Sequence, residues 1–593
     1  MKFKTSLAVR WTPKRILFVA VASVYLLLAT LPASQWLVRQ QLRVAAGGTL
    51  PNWMSGKMPT EDEREQERQT AAAHSDDLSL QLAMAYESRP GIGSQVNFAA
   101  PPVNPTAETK TAHAARTLWG LRDCFPNNPS LYANMLRYLT ADAVRIHRDA
   151  ELAELKPVAK SQASSGSGVP LPPQNTPEHL AWFDEASAIG ERLDPGNGYF
   201  PAVRAIGLFA AHRDTEALAA LHRASTKTEW NEYGADEVRG NWRLMTLTYG
   251  EPGSLSRLGQ MGSLLFFHYA PLRNAARLAT VQAIHREKDG KTNDGFAVRH
   301  DLVRLGDLVR LGDLMRVRSP YCIGTFVGNS IGRTAGERPG GTPALLKPAG
   351  LSDDAGNDKI LKACCDYLQR IGKPEAAVFV CGEAASGKQI EAVLKQASKR
   401  DVYSMVSLLP IAGMWVMGTA LISATLVLLV FGAASFLVRR SPLLAHRTSL
   451  PVVVVFSFVL LAGSLLFLGN NLITPWFQWL TLFQGIATNA QSAVVVLRWD
   501  LPTFLLFLPP VVGAAGFVLP LLLVGVAARR DRKLLLPGAT GFVRRYAAAA
   551  LPTAAVLLMA YAIVAVGTLR LESARRSEIE QMLNNENLYL KGR

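Results

Sequence analysis

Five stretches of the chain are almost wholly apolar: Ile16 to Val38, Leu408 to Val438, Leu450 to Gly469, Leu501 to Ala528 and Tyr546 to Leu569. None contains Asp, Glu, Lys, Arg or His. A bilayer core about 30 Å thick asks for roughly 20 apolar residues in a helix, and each stretch is long enough. They predict five membrane spans. Between the first and second lie residues 39–405, where apolar positions recur mostly at helical spacing. "EDEREQERQTAAAH" begins a charged helix, and helical spacing dominates from Thr111 to about Leu155, interrupted at "CFPNNPS". It resumes at "EHLAWFDEASAIGERL", runs with breaks to about Arg316, and returns at "KILKACCDYLQRIG". "KPVAKSQASSGSGVPLPPQNTP" (156–177) reads as a flexible linker, and "GNSIGRTAGERPGGTPALLKPAGLSDDAGND" as a Gly/Pro-rich loop. Strand signals are few. The expected fold class is all-α: a multi-span α-helical membrane protein with a large, mainly α-helical extracytoplasmic domain.

Charge orients this layout. The formal net charge of +16 is carried beside the apolar stretches. Residues 39–405 hold 43 basic against 41 acidic groups, whereas residues 1–38 hold 5 basic and no acidic groups, and residues 406–593 hold 15 against 6. Arg439, Arg440 and Arg447 follow the second stretch. Arg529, Arg530, Arg532, Lys533, Arg544 and Arg545 separate the fourth from the fifth. Lys and Arg next to spans stay on the cytoplasmic side. The expectation is therefore a cytoplasmic basic N-terminus (1–15), an anchor (16–38), an extracytoplasmic domain (39–405) and a C-terminal membrane domain (406–569). That membrane domain holds about four helices, and a polar tail (570–593) follows. The near-neutral domain gives no support for a nucleic-acid partner, which would need a basic face. No Asn-x-Ser/Thr sequon with an allowed middle residue occurs, which favours a bacterial inner (plasma) membrane over a secretory pathway.

The first stretch also has the basic lead-in of a signal peptide, but "ATLPASQW" offers no clean small-x-small cleavage site. Trp36 suits the headgroup level of an uncleaved anchor, so an anchor is expected, with cleavage the alternative. The spans lack ionisable groups, which argues against proton coupling through the bundle. Pro509, Pro510 and Pro520 imply a kink in the fourth span. Gly513, Gly516 and Ala547 to Ala550 permit close helix approach. "TPWFQWLTLF" (474–483) reads as an interfacial or re-entrant segment.

Candidate chemistry is sparse. "AAVFVCGEAASGKQI" (376–390) has an apolar run that suits a strand, followed by Gly382, Gly387 and Lys388 in the spacing of a phosphate-binding loop. Gln389 stands where such a loop needs a hydroxyl for Mg²⁺, and the predicted side of the membrane is poor in nucleotide. Nucleotide binding is not expected. "GNSIG" (328–332) matches a nucleophile elbow around Ser330, but "RTAGERPGG" is a poor start for the helix that must follow, so a loop is expected. Cys124, Cys322, Cys364, Cys365 and Cys381 all fall on the exterior side. Cys322 can bridge to Cys364, Cys365 or Cys381, or all stay as buried thiols. No Cys/His metal spacing occurs, and His212, His222 and His268 sit in helical pattern as packed or surface residues. No catalytic, cofactor-binding or metal residue is assigned, and no cofactor is expected. "DLVRLGDLVRLGDLMRVR" contains a six-residue unit twice. Successive copies would sit roughly 120° apart on a helix, so it reads as a local duplication. Asp301, Arg304, Asp307, Arg310 and Asp313 would then pair along a solvated edge.

"ASAIGERLDPGNGYFPAVRAIGLFAAHRDTEALAALHRAS" resembles a tetratricopeptide repeat: an "LDPGN" turn, a helix of small and bulky apolar residues, a polar "HRD" turn and a second helix. "RDCFPNNPSLYANMLRYL" is a weaker echo, its Pro126 lying 69 residues before Pro195, about twice the usual 34-residue period. The resemblance implies an α-solenoid-like stack that binds protein segments in a groove. The expected function is a protein-binding or scaffolding component of the cell envelope, with the lipid bilayer and an envelope or membrane protein as partners. The alternative is a permease-like subunit of an export complex working with a separate cytoplasmic ATPase, whose layout of anchor, exterior domain and C-terminal spans this chain resembles.

Overall fold

The computed structural model describes residues 60–85, 109–155, 174–262, 266–310, 322–341, 353–382 and 538–584, with scattered positions in 23–42, 389–392 and 411–425. These residues are mostly helical, and no strand occurs among them. The spans expected at 450–469 and 501–528, the N-terminal 1–15 and most of the linker lie outside the described residues. The chain divides into two compact units. One comprises Met58–Pro252, Arg257–Asp401 and Glu578–Arg593, the other Met1–Lys57, Gly253–Ser256 and Val402–Ser577.

The first unit is a succession of helices whose starts are written in their caps. α1 (Glu61–Ala73) opens on a capping box: the Thr60 hydroxyl accepts the Glu63 N–H while the Glu63 carboxylate accepts the Thr60 N–H. α2 (Leu78–Ala85) and α3 (Lys110–Gly120) follow. α4 (Pro129–Asp142) is capped by Asn128 with Pro at its first position, and a four-residue turn is α5 (Asp149–Leu152). α6 (Pro177–Leu193) repeats that start with Thr176 and Pro177, so the expected linker ends where this helix begins. α7 (Tyr199–Ala210), α8 (Asp214–Thr226), α9 (Gly234–Tyr249) and α10 (Ser254–Gly262), whose first three residues group with the second unit, come next. Then come α11 (Tyr269–Lys288), α12 (Thr292–Arg310), α13 (Cys322–Ala335), α14 (Asp353–Arg370) and a helix α15 described over 374–382.

Packing runs α3 to α4, α4 to α6, α6 to α7, α7 to α8, α8 to α12 and α12 to α13, with α2 against α9. One core joins them, from Leu136 and Phe183 through Tyr199 and Phe209 to Leu278 and Leu302. Glycines set the tightest crossings. A Cβ on Gly190 would lie 2.1 Å from the Phe200 ring, and one on Gly207 2.6 Å from the Phe183 ring, so α6 and α7 interlock aromatic over glycine. The "LDPGN" turn is fixed by the wholly buried Asn197. Its amide nitrogen donates to the Asp194 carboxylate and the Asn231 carbonyl, and its oxygen accepts the N–H groups of Tyr199 and Asn231. All four bonds of one side chain are used to tie the turn to the segment before α9.

Several expectations need correction here. The "GNSIG" segment is not a loop but the middle of α13. Helix wins because Gly306 of α12 abuts the Gly328 carbonyl and Gly332, where an added Cβ would come within 2.7 Å and 2.8 Å. Close packing of two backbones offsets the conformational cost of glycine in a helix. The apolar run 376–380 is helical, not a strand, with Pro374 in its first turn. α14 starts at Asp353, inside the expected loop. The duplicated six-residue unit is helical as far as Arg310, with Leu302, Val303 and Leu305 buried and Arg304 exposed on the expected solvated edge. Asp301 accepts bonds from Ser225 Oγ and His222 Nδ1, each at 2.9 Å, rather than pairing along its own helix.

In the second unit the main described element is α16 (Gly538–Asn584), whose last seven residues group with the first unit. It extends past both ends of the expected Tyr546–Leu569 span. Residues 554–584 have a mean hydropathy window of 2.0, long and apolar enough to cross a membrane. One face is buried through Ala554, Ala555, Tyr561, Ala565 and Thr568; Val556, Met559, Ile563 and Val566 stand exposed on another.

Candidate functional site

The residues singled out in the sequence do not assemble into a reaction centre. Ser330 lies inside α13, where its carbonyl accepts the Thr334 hydroxyl at 2.8 Å. Gly382 lies in a helix rather than following a strand, and Lys388 lies outside the described residues. Among the described residues no group of three His, Cys, Asp or Glu side chains is placed to hold a metal ion. Cys365 pairs with Cys381, closing the α14–α15 hairpin, so the bridge does not use Cys322. Cys364 is a buried free thiol, which burial pushes above its ordinary pKa, and Cys124 is free and exposed.

Two arrangements were not legible beforehand. The first is a surface notch of about 130 Å³ between α6 and α7. Leu180, Phe183, Leu208 and Ala211 supply apolar walls, and Gly207 lets the Phe183 ring lie close against α7 there. Asp184 stands at the rim and accepts from Arg204 Nε at 2.7 Å and Arg213 Nη1 at 3.1 Å. Arg213 also grips Glu216, whose carboxylate is thereby held below its usual pKa. The two terminal nitrogens of Arg204 donate to no other described residue. A cavity of roughly 150 Å³ lined by Leu, Ile and Phe accepts benzene. The notch therefore matches a single aliphatic or small aromatic side chain, with a polar rim to orient it.

The second is a buried polar cluster. Glu232 and His268 are 1% and 0% exposed, with Glu232 Oε2 2.7 Å from His268 Nε2. The ring N–H direction misses the carboxylate, so this is a short contact rather than an aligned hydrogen bond. Tyr269 donates to the other Glu232 oxygen at 3.3 Å, and the Tyr199 ring meets His268 edge-on at 5.2 Å. Burial, and then the Glu232 charge, push the Tyr199 hydroxyl well above its ordinary pKa. On the α4 side Arg137, itself 1% exposed, bonds Asn134 and Glu237. Tyr233, which leads into α9, holds a left-handed backbone with φ 55° while its hydroxyl donates to Asp194 at 2.7 Å. Buried charges are costly unless paired, and Arg137 is paired with Glu237 while Glu232 accepts from Tyr269 beside His268. Their enclosure suits a keystone of the helical unit better than acid–base work on an outside molecule.

Compared with protein-family models, curated proteins and solved structures, the chain matches none.

Proposed function

We propose that the chain is a membrane-anchored, extracytoplasmic helical-repeat protein of the bacterial inner membrane that holds an envelope protein through its α-solenoid-like domain. The observation that carries this reading is the apolar notch between α6 and α7, in the stretch that resembles a tetratricopeptide repeat. It is a surface socket of side-chain size, beside an arginine with donors to spare. Interface hot spots are side chains seated in such pockets.

Three further features agree with the location. The domain's charges nearly balance, as expected for a portion away from the positive-inside face. The Cys365–Cys381 disulfide suits an oxidising compartment. The exposed stripe of Val556, Met559, Ile563 and Val566 suits contact with lipid.

The test is co-purification of the tagged full chain from mild detergent, compared with Ala181→Trp, an exposed lining position whose new ring would fill the notch. The expected result is an extracytoplasmic protein retained by the parent and lost with the variant at unchanged expression. Retention of the same protein by both would remove the notch from the account. A cytoplasmic ATPase as the retained partner would replace the scaffold reading with the permease one.

A further inference from the structure

The structure assigns the first apolar stretch to the membrane unit as a permanent helix, latched to the C-terminal helices by Gln41. Gln41 is wholly buried, as are Leu37 and Val38 just before it. Its amide nitrogen donates to the Trp415 carbonyl at 3.1 Å, and its amide oxygen accepts the hydroxyl of the fully buried Tyr561 of α16 at 2.8 Å. The same Trp415 carbonyl takes a second bond from Thr419 Oγ1 at 3.0 Å. Gly418 makes the approach possible, since a Cβ there would sit 2.4 Å from the Gln41 nitrogen. One amide thus joins segments 374 and 520 residues away in the chain.

Away from water an unmatched amide is expensive, so each partner fixes the others. On the N-terminal side Leu26 and Thr30 are in helix, with the Thr30 hydroxyl donating to the Leu26 carbonyl at 2.9 Å. Cleavage in "ATLPASQW" would place a new charged amine within about three residues of buried Leu37, and burying such a charge is strongly unfavourable. A removable leader needs no such seat. The stretch is therefore neither a leader nor a lone tether, and the membrane unit is incomplete without it.

This inference rests on the membrane reading, and two measurements keep the two apart. The first is the intact mass of the purified full-length protein, after alkaline carbonate extraction of the membranes. Retention in the membrane pellet with a mass beginning at Met1 is expected. Retention with a mass beginning between residues 30 and 37 would overturn the permanent helix alone. Release by carbonate would overturn the membrane reading with it. The second is a pair of conservative variants, Gln41→Leu and Tyr561→Phe, alone and together, melted in detergent. Each single change should lower the melting temperature, and the double change should lower it no further than the worse single. Additive losses would show that the two side chains do not act through one bond.

Discussion

His212 occupies a position that glycine holds elsewhere in this molecule. At the end of α11, Lys291 N–H returns to the Arg286 carbonyl across Gly290, and at the end of α14, Lys373 N–H returns to Leu368 across Gly372. Both glycines have positive φ, at 80° and 72°. At the end of α7, Arg213 N–H returns to Leu208 at 2.8 Å in the same way, but His212 takes φ 58°. A side chain in that region is strained, so His212→Gly should stabilise the protein by about 1 kcal/mol in thermal or denaturant unfolding. The Glu232–His268 pair makes the opposite case. Glu232→Ala leaves the buried Tyr269 hydroxyl without its acceptor and should cost about 1–3 kcal/mol, whereas Glu232→Leu with His268→Phe should recover much of that loss. A double replacement as damaging as the single one would refute the pairing. His300 sets an acid response: burial first, then the Arg304 guanidinium, hold its pKa below the usual 6.5, with Asp301 opposing. The unfolded chain then binds more protons as pH falls through 6.5, so stability declines on acidification, and His300→Gln should flatten part of that slope. None of these three sites is visible in a linear reading. Glu232 and His268 are brought together only by the segment that Asn197 ties down, and a left-handed histidine has no sequence mark.

Helix positions were the most legible level. Helical spacing predicts α1, α4 and α6, the repeat resemblance implies α7 and α8, and the "LDPGN" and "HRD" turns fall between helices. Misreadings fall where glycine or a short apolar run decides. "GNSIG" looks like a loop until Gly306 is known to press on it from α12, and "AAVFV" is too short to separate strand from helix by pattern. The partner of Cys365 was open for a related reason: only when 374–382 is a helix folded back on α14 does Cys381 come within reach. A loop of this size gives a disulfide worth about 3 kcal/mol. Cys365→Ser with Cys381→Ser should lower unfolding stability by that order. In the oxidised parent, maleimide should label exposed Cys124 quickly and buried Cys364 only on unfolding. Rapid labelling of Cys365 or Cys381 without reductant would deny the bridge.

At the scale of the whole molecule, what the sequence states most clearly is where its charges lie, and the structure adds where α16 ends. Ile579 and Leu583 of α16 pack with Val238 and Trp242 of α9, within the helical unit. Arg239 bonds Asn584 there. The C-terminal end of the candidate span therefore belongs with the helical domain, a point that counting apolar stretches left open. Reporters fused at Ser165 and after Arg593, active only on one side of the membrane, test this together with the orientation. The account predicts that both report the extracytoplasmic side while a reporter at the N-terminus reports the cytoplasm. A cytoplasmic signal from Ser165 would contradict it at the root, and opposite signals from Ser165 and the C-terminus would contradict the seating of α16 on α9.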